Sequence, residues 1–140
     1  MGALVIGLGS DHRSDDAAGL EVARRIGAGR RIAHAGDPLA VIDLWGERDD
    51  VVVVDAMRSG AAPGTTFRFD ATTTPLPRAP FVTSHSMGIG EAIELARVLG
   101  SLPSTLAVIW IEIGTLETGH GLSPPVTVAV DRLVEELSRA

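Results

Sequence analysis

ALVIGLGSDHRSDDAAGLEVARRIG, residues 3–27, decides the fold. Ala3 to Leu8 is a short apolar run followed by glycine, the pattern of a strand buried on both faces. From Asp15 onward Ala18, Val22 and Ile26 recur at helical spacing. Glu21 and Arg25 stand four apart on the outer side, and Gly27 and Gly29 stop the helix. The order is strand, glycine turn, helix. A dinucleotide fingerprint needs a third glycine five positions after the first, where helix and strand pack closely. Gly7 and Gly9 are present, but the third position is His12, and Asp11, Asp15 and Asp16 would face the pyrophosphate. The turn suits a cation better than an anion.

Working outward, the same alternation continues. Arg31 to Ala35 reads as a short second strand and Pro38 to Trp45 as a second helix. Val51 to Ala56, VVVVDA, is the surest strand: four β-branched residues closing on Asp55. A proline-dotted region from Ala61 to Pro80 encloses TFRFD, an edge strand. From Met87 a helix is signalled by Ile89, Ile93, Ala96 and Leu99 and closed by Gly100. TLAVIWIEIG, Thr105 to Gly114, is another buried strand. Ser123 is a good N-cap with Pro124 at the first helical position, and Val126, Val130, Leu133, Val134 and Leu137 form one apolar stripe. The expected architecture is one α/β domain over residues 1–140. It is a mostly parallel twisted sheet of about five strands with helices on both faces, a Rossmann-like three-layer sandwich.

Composition excludes several chemistries. The 140 residues include no cysteine, so there is no disulfide framework, thiol nucleophile or thiolate metal site. Every basic residue is arginine, which removes Schiff-base, pyridoxal phosphate and P-loop chemistry. A net charge of −6 argues against a nucleic-acid partner. No apolar run approaches the roughly 20 residues of a membrane span, and no basic segment or cleavage site marks the chain for export. The expectation is a soluble, cytoplasmic protein with no membrane association and no organic cofactor.

In an open parallel sheet, ligands bind outside the carboxyl ends of the strands. Strand one delivers Asp15 and Asp16 there, VVVVDA delivers Asp55, and VTSHSMGIGEA places His85 just ahead of a helix. Two carboxylates and an imidazole from separate loops suit a divalent transition metal, leaving positions open for substrate. Each has a structural counterpart. Asp15 is expected to cap its helix, Asp55 to open an Asx-turn, His85 to be a hydrogen-bonded core residue, and Ser84 or Ser86 to cap the helix after it. His34 and His120 are expected to be solvated. A Ser84 or Ser10, His85 and Asp55 triad is disfavoured, because no GxSxG elbow is present and adjacent Ser84 and His85 do not readily face each other.

With these residues placed, the sequence resembles the hydrogenase maturation endopeptidases, which remove a C-terminal extension from the nickel–iron hydrogenase large-subunit precursor. The likeness runs through LVIGLGS and DDAAG, VVVVDAMRSGAAPGT, TSHSMGIGEAIELARVLG and IEIGTLETGHGLSPPV. It implies that Asp16, Asp55 and His85 bind metal and carry the catalysis. It also implies that the nickel arrives in the substrate and that the partner is the hydrogenase large-subunit precursor. Departures lie beside that site: Ser10 where the family usually has asparagine, Ala17 where it has glycine, and the polar run Asp11 to Ser14. Two other readings compete with proteolysis: a non-catalytic metal-binding accessory protein of the same fold, and a Rossmann-type small-ligand-binding domain. The long loop Ala61 to Pro80 and the GHGLSPP segment are the expected walls of a peptide groove.

Overall fold

The computed structural model describes residues 2–10, 14–78, 81, 88–114 and 121–139. In chain order its elements are β1 (Leu4–Leu8), α1 (Ala18–Arg24), β2 (Arg31–His34), α2 (Val41–Trp45), β3 (Asp50–Met57), β4 (Thr66–Asp70), α3 (Ile89–Leu99), β5 (Thr105–Glu112) and α4 (Pro124–Arg139). Single 3-10 turns, Ser14–Ala17 and Pro38–Ala40, lead into α1 and α2. Asp37 caps the second of these by accepting from the Leu39 N–H at 2.9 Å.

The described strands form one sheet in the order β2-β1-β3-β5-β4. The first four of these run parallel, and β4 alone is antiparallel, on β5. Val51 and Val53 face one way and pack with Leu4, Ile6, Trp45, Ile89 and Ile93, while Val52 and Val54 face the other and pack with Val5, Val22, Ile109, Val126 and Val130. Strand residues alternate between faces, so an unbroken valine run feeds two cores at once. Helices α2 and α3 cover one face; α1 and α4 cover the other. Each fully buried valine or isoleucine contributes about 1.5–3 kcal/mol relative to exposure, which is why a four-valine strand at the sheet's centre is the framework of the molecule.

The edge strand follows its expectation. Thr66, Arg68 and Asp70 are exposed while Phe67 and Phe69 are half-buried against Phe81 and Trp110, with ring centroids 4.8–6.0 Å apart. Beyond it, Arg97 of α3 donates to the Thr72 and Ala71 carbonyls at 2.8 and 3.0 Å, tying the strand's exit to the helix. The Glu21–Arg25 pair is corrected: Arg25 instead bonds Asp131 of α4 at 2.7 Å. Helix α4 lies against α1, and its carboxylate reaches the guanidinium from across the interface, a proximity no local spacing reveals. No helix among the described residues is long and apolar enough to cross a membrane.

Candidate functional site

The chain leaves β1 for β2 through α1 on one face, then returns through α2 on the other face to place β3 on the opposite side of β1. That reversal opens a crevice at the carboxyl ends of β1 and β3, the place where open α/β sheets bind ligands. The turn after β1 carries Asp15 and Asp16, and β3 carries Asp55. The expected acids therefore meet where topology makes room for them.

Glycine brings the turn in close. A Cβ on Gly19 would lie 2.3 Å from the Leu8 carbonyl oxygen and 2.4 Å from that of Val54, so the first turn of α1 rests directly on β1 and β3. Gly9, at φ 153°, makes the turn itself, and a side chain there would strike the Asp16 carbonyl at 2.2 Å. The Ser10 N–H closes the loop onto that same carbonyl at 3.0 Å. The glycines that suggest a phosphate loop thus serve helix-on-strand contact.

Asp55 does not end its strand, which continues through Met57, and it makes no Asx-turn. One oxygen, Oδ1, accepts from the adjoining Ala56 N–H at 2.8 Å; the other, Oδ2, is buried with no hydrogen-bond partner among the described residues. Burial pushes its pKa to about 8, the Ala56 N–H working against that rise and the charge of nearby Asp16 adding to it. The indole N–H of Trp110, the β5 residue paired with Asp55, is also buried and has no partner among the described residues. A bare acceptor with a second carboxylate near it is an arrangement that a cation relieves. It supplies the missing partner and turns the Asp16 charge from a penalty into a shared ligand.

Asp15, expected to cap α1, does something else. Helix α1 begins after Ala17 with no side-chain cap. The Asp15 carboxylate, fully buried, accepts from the Gly114 N–H at 2.7 Å, the Ser123 N–H at 2.6 Å and the Ser123 hydroxyl at 2.7 Å. It joins the first turn to the exit of β5 and the entry of α4. These donors come from parts of the chain about a hundred positions away, which local spacing does not disclose.

One buried acid escaped the sequence reading. Glu112, the last residue of β5, accepts from the Ser59 N–H at 2.9 Å, the Ser59 hydroxyl and the Gly60 N–H at 3.3 Å. It pins the loop leaving β3. The available signal was a lone charge in an otherwise apolar strand, IWIEIG.

His85 lies outside the described residues, as do His12, Ser84, Ser86 and His120. Helix α3 has Gly88 at its N-cap, and Glu91 accepts from the Gly88 N–H at 3.1 Å. The cap position is thus held by a glycine, and the serines expected there lie outside the described residues. His34 is half-buried rather than fully solvated, with Nε2 3.1 Å from the Asp37 carbonyl oxygen. Among the described residues no three histidine, aspartate or glutamate side chains gather in a metal-binding group. Asp16 stands near enough to Asp55 for its charge to act on that carboxyl. Beside the edge of the sheet, a groove of about 470 Å³ runs between β4 and α4, lined by Pro63, Gly64, Pro125, Val128 and Arg132 among others.

Comparison with known proteins points one way. The sequence profile of the hydrogenase maturation protease family matches residues 34–140, a span that includes Asp55 and His85. The hydrogenase 2 maturation protease of Escherichia coli K12 is 24% identical over 148 residues, covering 100% of this chain and 90% of that protein. Among solved structures, the hydrogenase-maturating endopeptidase HybD of E. coli superimposes with a TM-score of 0.77 at 22% identity, covering 97% of this chain and 89% of that one. The [NiFe] hydrogenase maturation protease HycI of Thermococcus kodakarensis KOD1 does so with a TM-score of 0.75 at 25% identity, covering 99% and 93%.

Proposed function

The chain belongs to the hydrogenase maturation protease family, and from that premise we propose that it removes the C-terminal extension of a nickel–iron hydrogenase large-subunit precursor by recognising nickel already seated in that substrate. Asp16, Asp55 and His85 bind the substrate's nickel, and the processing activates the hydrogenase in the cytoplasm. The observation that carries this reading is the buried, unpartnered Oδ2 of Asp55 beside Asp16 at the β1/β3 crevice. A carboxylate oxygen shut away from water and offered no donor is stable as an anion only with a cation in front of it.

In this reading the metal centre fixes the scissile bond near the acids, and a water held by the metal or by a carboxylate attacks the peptide carbonyl. The groove between β4 and α4 leads the extended C-terminal peptide away from the crevice. Val128 and the two prolines supply apolar contact, and Arg132 supplies a positive charge.

The test is cleavage of a cognate nickel-loaded precursor, followed by mass spectrometry of the large subunit. Asp16→Ala, Asp55→Asn and His85→Ala variants are each expected to lose at least about a hundredfold in rate. Cleavage at the parental rate by any of them overturns its assignment. Nickel binding without any cleavage by the parent chain overturns proteolysis and leaves a metal-binding accessory protein.

A further inference from the structure

Asp15 and Asp16 are neighbours in sequence, and both are buried, 0% and 3% exposed, within one four-residue 3-10 turn. Successive side chains on such a turn diverge by about a third of a revolution, so they cannot serve the same partner. Asp15 is committed. Its carboxylate takes three donors, from Gly114 and Ser123, at 2.6–2.7 Å. These come from the exit of β5 and the entry of α4, roughly a hundred positions along the chain, so the turn is held against a remote part of the fold.

The backbone of the turn is held against its own preference. Ser14, where the turn starts, has φ of 39°, a left-handed conformation that costs a residue with a Cβ about 1 kcal/mol or more. Such a conformation persists only where the surroundings over-determine it. Two constraints bracket it here: the Ser10 N–H to Asp16 carbonyl bond inside the loop, and the Asp15 carboxylate bonds outside it. The first closes the loop. The second fixes its rotation, and the turn packs on β3, the strand of Asp55.

We propose that Asp15 is the positioning residue of the site: its three bonds to Gly114 and Ser123 lock the rotation of the Ser14–Ala17 turn and so direct Asp16 toward Asp55. The proposal rests on the reading of Asp16 and Asp55 as nickel-facing acids. It assigns the paired aspartates separate tasks, one gripping the scaffold and the other meeting the metal. Groups that orient a metal ligand characteristically contribute ten- to a hundredfold in affinity without touching the ion.

The experiment uses the full chain and nickel ion alone, with calorimetric titration and thermal unfolding in the absence and presence of the metal. Asp15→Asn keeps the size and one acceptor but sets an NH₂ group against donors. Its affinity for nickel is expected to fall by about ten- to a hundredfold, and the rise in Tm that nickel produces is expected to shrink with it. A merely structural role moves a different quantity: it lowers the metal-free Tm and leaves the nickel-induced rise unchanged. Leu106→Ala, a buried core change at the amino end of β5 on the other face of the sheet from α1, supplies that benchmark. Should Asp15→Asn not fold, Ser123→Ala removes one of the three bonds and is expected to weaken nickel binding by about two- to fivefold. Parental affinity in the folded variant, with affinity lost in Asp16→Ala, overturns the positioning role and leaves the metal reading standing. No nickel binding by the parent chain overturns the positioning role for a site formed on this chain alone, whereas the reading of substrate-held nickel stands or falls on cleavage of the nickel-loaded precursor.

Discussion

Glu112, the last residue of β5, and Asp55, two residues before the end of β3, lie one pleat apart on the same face of the sheet and are buried to 2% and 1% exposure. Their surroundings are opposite. Around Glu112 the chain has folded a loop so that Ser59 and Gly60 offer three donors. Around Asp55 it offers one, from the adjoining residue, and leaves an oxygen bare. Burial alone therefore says little about what an acid is for. What separates a scaffold acid from a binding acid is whether the protein completes its hydrogen bonds or leaves that to something arriving from outside.

The comparison breaks first at Glu112. Glu112→Ala takes the acceptor away from three part-buried donors and is expected to cost about 2 kcal/mol, read by urea denaturation. A cost below about 1 kcal/mol would make the corner at the end of β5 as dispensable as the contrast says it is not.

At Asp55 the expected effect is of opposite sign. With a folded-state pKa of about 8 against an ordinary 3.8, the folded chain keeps a proton that the unfolded chain has released. The stability this group contributes is therefore complete below about pH 4 and is lost as pH rises through about 8. Metal-free Tm should fall across that window. Asp55→Asn should flatten the fall and raise Tm at pH 8 by about a few degrees, while saturating nickel should flatten it in the parent chain. A parent whose Tm rises with pH over this range removes the basis for calling the acid unsatisfied.

The smallest effect sharpens the scale. Arg25 and Asp131 are paired at 2.7 Å, but their side chains are 42% and 56% exposed. Arg25→Ala should cost less than about 1 kcal/mol and lose even that in high salt, which sets the level against which the buried acids are judged.

The sheet was legible because its signals are local. Four valines, an apolar run before a glycine, and helical stripes each announce themselves within ten or so residues, and the structure places them as expected. The acids were half legible. That Asp16 and Asp55 arrive at one rim follows from strand polarity, which sequence alternation implies. The roles of Asp15 and Glu112 do not follow, because their partners, Gly114 with Ser123 and Ser59 with Gly60, are set by how distant loops settle on one another. The same reason misled the pairing of Arg25. A local rule chose Glu21, whereas the folded chain offered Asp131 from another helix. The strand register put Trp110 beside Asp55, which no pattern in IWIEIG discloses.

Gly19, with no side chain to stand between α1 and the carbonyls of Leu8 and Val54, makes this corner of the molecule a welded joint. Packed helices shear past one another by letting side chains tip from one rotamer to the next, and here there is nothing to tip. On that side the crevice has a wall that keeps its shape.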